Sequence, residues 1–102
     1  MSHTLDVRIQ GDSMWPTFRD GDVLTFTQQN LSSLAVSDVV LVSHPLKPEV
    51  RMVKRVLRIE ANGDLFLVGD NPDPLASEDS HNFGPVPYRL VQGRWLRESW
   101  RA

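Results

Sequence analysis

The chain has 102 residues, 40% hydrophobic and 24% charged, with a net charge of −2. That argues for one domain with a modest core and against a basic field that would hold nucleic acid. Cysteine is absent, which excludes disulfides, thiolate metal sites and a cysteine nucleophile, and fits a reducing compartment.

The N-terminal MSHTLDVRIQ has no apolar run, and no stretch approaches the ~18 apolar residues of a spanning helix. The expectation is a soluble, cytoplasmic protein with neither a secretion signal nor a transmembrane segment. Residues 7–10 alternate and are stopped by Gly11-Asp12; residues 22–27 form a second short strand, entered through Asp20-Gly21. The β-branched run at 39–42 is a third strand, halted by Pro45 and Pro48. Residues 50–60 and 65–68 flank Asn62-Gly63-Asp64, a hairpin signal because Asn and Gly tolerate positive φ. Residues 69–87, rich in Pro, Asp, Ser and Asn, read as a long loop, and 89–96 as a last strand. Only 13–19, interrupted by Pro16, and 30–36 offer short helices. The fold class expected is mostly β: a single compact β-barrel domain over residues 1–102 with short helical turns.

The chemistry begins at Gly11-Asp12-Ser13-Met14-Trp15-Pro16, where a serine is fixed between a turn and a proline. Serine is a weak nucleophile until a base removes its proton. His3 lies near the terminus and His44 precedes Pro45 at a strand end; His81, in Glu78-Asp79-Ser80-His81, is the partner a Ser-His-Asp arrangement would use. No HxH or HExxH spacing supports a metal site at His44 and His81, so no metal or cofactor is expected. Lys54 is the other base. In a strand of period two, Val50, Met52, Lys54 and Val56 share one face, and Arg51, Val53 and Arg55 take the other. Two readings of that lone charge stay open: a buried lysine whose lowered pKa makes it a neutral base, or one snorkelling at the sheet rim.

Gly11-Asp12-Ser13-Met14-Trp15-Pro16-Thr17-Phe18 and Gly21-Asp22 resemble the nucleophile boxes of type I signal peptidases. Val53-Lys54-Arg55-Val56 is similar to their general-base box. Gly69-Asp70-Asn71 and Asp79-Ser80-His81-Asn82-Phe83-Gly84-Pro85-Val86 are similar to their last box. These boxes, in the family's order, cover residues 11–86. His44-Pro45, Gly69-Asp70-Asn71-Pro72 and the short spacing from Lys54 to Gly69 look most like the maturation proteases of nickel-type superoxide dismutase.

The resemblance implies a signal-peptidase-like β fold and a Ser-Lys dyad, with Ser13 attacking the scissile carbonyl and Lys54 taking its proton. It implies that Ser77 orients the lysine amine, that Asp79 braces the loop, and that the Ser13 N–H is an oxyanion donor. The implied partner is the leader peptide of a precursor, the nickel superoxide dismutase precursor in this subgroup, and not nucleic acid. Met14 and Trp15 are the residues expected near the cut site. Three positions depart from the pattern: Gly11 stands where some members have a second oxyanion donor, His81 replaces the usual arginine, and the 69–79 loop has extra residues.

Two other readings compete. Self-cleaving domains of SOS-type repressors use a similar dyad, but they present an internal Ala-Gly or Cys-Gly bond, and neither pair occurs here. A non-enzymatic β-barrel binding module is the second. Its best feature is residues 93–101, where arginines and aromatics interleave as at membrane or nucleic-acid surfaces. The same residues also read as a final strand with a solvated tail.

Overall fold

The computed structural model describes residues 3–97. Six strands form one antiparallel sheet: β1 (Thr4–Arg8), β2 (Val23–Thr27), β3 (Val39–Ser43), β4 (Arg51–Ile59), β5 (Leu65–Val68) and β6 (Val91–Trp95). Their order across the sheet is β1-β2-β6-β3-β4-β5. The expected mostly-β class with short helical turns is what the chain adopts, as an open sheet with β1 and β5 at its edges rather than a closed barrel.

Strand β3 sits near the middle, and its Val39, Val40, Leu41 and Val42 are all buried. An unbroken apolar run suits a strand covered on both faces, because alternate side chains leave in opposite directions. Val39 and Leu41 accordingly join Ile9, Met14, Phe18, Leu24 and Phe26 in one cluster. Val40 and Val42 join Val56, Leu65, Leu67, Val86 and Val91 in the other. The Asn62-Gly63 turn closes the β4–β5 hairpin as expected, with Gly63 at φ 92°.

Four boundaries differ from the sequence expectation. β1 lies at Thr4–Arg8 rather than 7–10, held in register against β2 by pairs from Thr4↔Thr27 to Arg8↔Val23. Residues 13–17 are successive turns rather than helix, with a cis Trp15–Pro16 peptide. Residues 30–36 hold only a single 3-10 turn, Leu31–Ser33. The 69–87 segment contains a 3-10 turn at Pro74–Ala76 and a one-turn helix, α1 (Ser80–Phe83). Of the aromatic-arginine stretch 93–101, residues 93–95 belong to β6, where a side chain at Gly93 would lie 2.9 Å from Phe26 Cβ. Residues 98–101 lie outside the described residues. Among the described residues, no helix is long and apolar enough to cross a membrane.

Candidate active site

Ser13 is carried by the connection between β1 and β2, and that connection is pinned at both ends. The Gly11 N–H donates to Asp20 Oδ1 (2.7 Å), while Ile9 N–H donates to Asp22 O (2.7 Å). Met14 and Phe18, 0% and 1% exposed, plug the loop into the first core cluster. Burying two such side chains contributes roughly 1.5–3 kcal/mol each, enough to hold the intervening turn. Ser13 is left half-buried at the surface of that plug.

Residues 69–71, just after β5, clasp the same loop. The Asn71 N–H donates to Ser13 O (3.0 Å) and its side-chain amide to Asp12 O (2.8 Å). Thr17 Oγ1 donates to Asp70 Oδ2 (2.6 Å). Gly69 fits where nothing larger would, since a Cβ there would lie 2.5 Å from Ser13 O and 2.5 Å from Ser77 Oγ. Asp70 also takes a bidentate pair from Arg55 on β4, at 2.8 and 2.7 Å, so the clasp is tied to the strand that bears Lys54. Burial alone would raise the Asp70 carboxyl, but the hydrogen bonds from Arg55 and Thr17 and the guanidinium charge hold it below its usual value.

Lys54 pairs with Val40 across β3 and β4 and is only 3% exposed, so it is buried in the sheet and not snorkelling at its rim. Its Nζ donates to Ser77 Oγ at 2.8 Å. Desolvation lowers its pKa from the ordinary lysine value, against the opposing pull of the Asp79 and Glu78 charges. Asp79 itself braces the turn. Its side chain caps α1 by accepting from His81 N–H (2.9 Å), in a capping box with Asn82. Its second oxygen faces the Gly69 N–H at 3.4 Å.

Ser13, Met14 and Lys54 line one cleft of about 430 Å³, walled by residues 7–10 on one side and 50–53 on the other. The structure therefore brings Ser13, Lys54, Ser77 and Asp79 into one neighbourhood through direct contact or a shared cleft. Met14 reaches the cleft only as a core side chain. Trp15 is 45% exposed and is not part of the cleft wall. His81 points away, its Nδ1 3.0 Å from Asp79 Oδ1 and its ring against Phe66. Neither His44 nor His81 lines the cleft. Among the described residues no three His, Asp or Glu side chains gather as a metal-binding group.

The Thr17–Asp70–Arg55 clamp and a contact between His44 and Glu78 were not read from sequence. Period two had placed Arg55 opposite Lys54 without naming its partner, 15 residues away.

The Peptidase S24-like family matches residues 2–83 of this chain. The chain belongs to that family. It is 35% identical to mitochondrial inner membrane protease subunit 1 of Xenopus tropicalis over 113 residues, covering 88% of this chain and 65% of that protein. It is 32% identical to mitochondrial ATP-independent inner membrane protease subunit 1a of Arabidopsis thaliana, covering 90% and 68%. A mitochondrial inner membrane protease subunit 2 of Danio rerio is 31% identical, covering 91% and 62%. The chain thus spans about two thirds of the length of these relatives.

The signal-peptidase-like kinship read from the boxes agrees with these matches. The cytoplasmic expectation does not survive them, because these relatives are named as proteases of a membrane, the mitochondrial inner membrane. Lack of an apolar run was a poor guide to location, since a protein can be held at a membrane without spanning it.

Proposed function

We propose that this chain is a serine endopeptidase that removes a leader from a precursor, with Ser13 as nucleophile and Lys54 as general base. One observation carries the reading: a lysine buried to 3% exposure opens into the same cleft as a turn-mounted serine, with its amine held by Ser77. Burial disfavours the ammonium, and a neutral amine has the lone pair that a base requires. Lys54 takes the Ser13 proton as Oγ attacks the scissile carbonyl. It returns that proton to the leaving amine, and then activates the water that hydrolyses the acyl-enzyme. The Ser13 N–H donates to the oxyanion. Extended substrate lies between edge strand β1 and residues 50–53 and pairs through its backbone.

The relatives named above support a protease at a membrane, and nothing in them points to a nickel superoxide dismutase precursor. That precursor enters the test as one candidate substrate, on the strength of His44-Pro45 and Gly69-Asp70-Asn71-Pro72 alone. The test is mass spectrometry of precursors co-expressed with the wild-type protein or with Ser13→Ala. New N-termini that need Ser13 support the reading; identical N-termini with both proteins sink it. A dismutase precursor left whole while another is trimmed removes only the substrate assignment.

A further inference from the structure

Ser77 is the hydrogen-bond partner of Lys54, and it lies between a surface 3-10 turn and the Asp79 cap of α1. The 3-10 turn before it exposes Leu75 at 93%. The residue after it, Glu78, reaches the imidazole of His44, a ring only 3% exposed at the end of β3. The contact is between Nε2 and Oε1. The other ring nitrogen, Nδ1, accepts from the Leu46 N–H at 3.0 Å. An acceptor at Nδ1 carries no proton, so the ring is the neutral tautomer with its proton on Nε2, and that N–H donates to the carboxylate. Phe83 of α1 packs on the ring, centroids 5.0 Å apart, and the His44 N–H donates to Val50 O at 2.8 Å. The imidazole therefore ties the β3–β4 connection to the segment that presents Ser77, so both ends of the Lys54–Ser77 bond rest on elements it joins.

We propose that His44 and Glu78 form a latch that positions Ser77 and, through it, the amine of Lys54. It rests on the Ser-Lys reading above and makes His44 and Glu78 positioning residues. The latch needs an acceptor at position 78. The negative charge there has a separate effect: with Asp79 it favours the ammonium form of Lys54, and it faces His44 and Lys47 as well.

The two effects separate by substitution at Glu78, whose side chain is 54% exposed and tolerates change. Glu78→Ala removes acceptor and charge; Glu78→Gln keeps an acceptor oxygen. On a peptide substrate, Glu78→Ala is expected to lower kcat about tenfold, the equivalent of one lost hydrogen bond. KM should stay near wild type, and Tm should fall by no more than the several degrees that one hydrogen bond represents. Glu78→Gln is expected to restore kcat to within about threefold of wild type, on the same hydrogen-bond scale. In both variants the rising limb of the kcat–pH profile moves to lower pH, because a charge that favoured the ammonium is gone. Wild-type kcat in Glu78→Ala, or equal losses in the two variants, overturns the latch, and Ser13→Ala assayed alongside tells the cases apart. If Ser13→Ala is dead while Glu78→Ala is fully active, the dyad stands and the latch fails. If Ser13→Ala still cleaves, both fail.

Discussion

Gly69→Ala tests whether the site depends on close backbone approach. Gly69 is not in a positive-φ conformation, so alanine meets no backbone penalty there and any effect is steric. The new Cβ would sit 2.5 Å from Ser13 O and 2.5 Å from Ser77 Oγ, with Ser77 Cβ at 3.0 Å. Ordinary contact is about 3.5 Å, so the Ser13 loop and Ser77 must each draw back from residue 69 by about 1 Å. Ser13 O is backbone, and Ser77 Oγ can turn aside only by giving up its hydrogen bond from Lys54. Overpacking of this kind costs about 1–3 kcal/mol, which at this chain length lowers Tm by roughly 4–20 °C. A misplacement of about 1 Å at reacting groups removes on the order of 10²-fold in rate. The assay pairs thermal unfolding with kcat/KM on a cleavable peptide, measured well below Tm. Gly63→Ala is the control: at φ 92° it is strained, but nothing lies within 4 Å of the added methyl and the site is remote. It should lower Tm and leave the activity of folded protein unchanged. Cleavage by Gly69→Ala within about threefold of wild type, where about 10²-fold is expected, would refute the claim that Gly69 sets the spacing.

Asp70→Asn should flatten the acid limb of stability. The Asp70 pKa is depressed in the fold, so its contribution is present above the unfolded value near ~3.9 and is lost as pH falls through the lower folded value. Urea midpoints from pH 7 downward check this, and a wild-type slope below pH 4 in the variant would contradict it. Lys54→Met should raise Tm at pH 7 while abolishing cleavage. The folded pKa of Lys54 lies below its unfolded value of ~10.4, so the unfolded chain binds the extra proton and wild-type stability climbs with pH across that interval. The advantage of Lys54→Met therefore shrinks toward pH 10, and scanning calorimetry at pH 7 and 10 checks the sign.

The parts of the fold legible in sequence were those fixed by local chemistry. Asn62-Gly63 announced its hairpin, and the β-branched Val39–Val42 run announced a strand, while its burial on both faces emerged only from the packing of the two core clusters. The lone lysine in an apolar row at Met52, Lys54 and Val56 was legible too, although period two left its burial undecided until β3 was seen beside it. What escaped was set by distant partners. β1 begins at Thr4 because β2 offers Thr27 opposite it, with Thr25 Oγ1 donating to Asp6 at 2.8 Å. α1 hides in a polar loop because its signal is only Asp79 and Asn82 three apart, a capping box without the usual Ser or Glu. At the site, Ser13 and Lys54 were readable from motif and spacing, whereas the Asp70 clamp and the His44–Glu78 contact join residues 15 to 53 positions apart.

Cleavage kinetics of Ser13→Ala, Lys54→Met and the double variant, with His81→Gln alongside, decide whether Ser13 and Lys54 act as one unit. Residues that act as a unit are strongly non-additive. All three are expected to lose cleavage to the same floor, and His81→Gln is expected to keep both activity and the rising limb of its pH profile. Substantial activity in Lys54→Met, with loss in His81→Gln, would contradict it and hand the base to histidine.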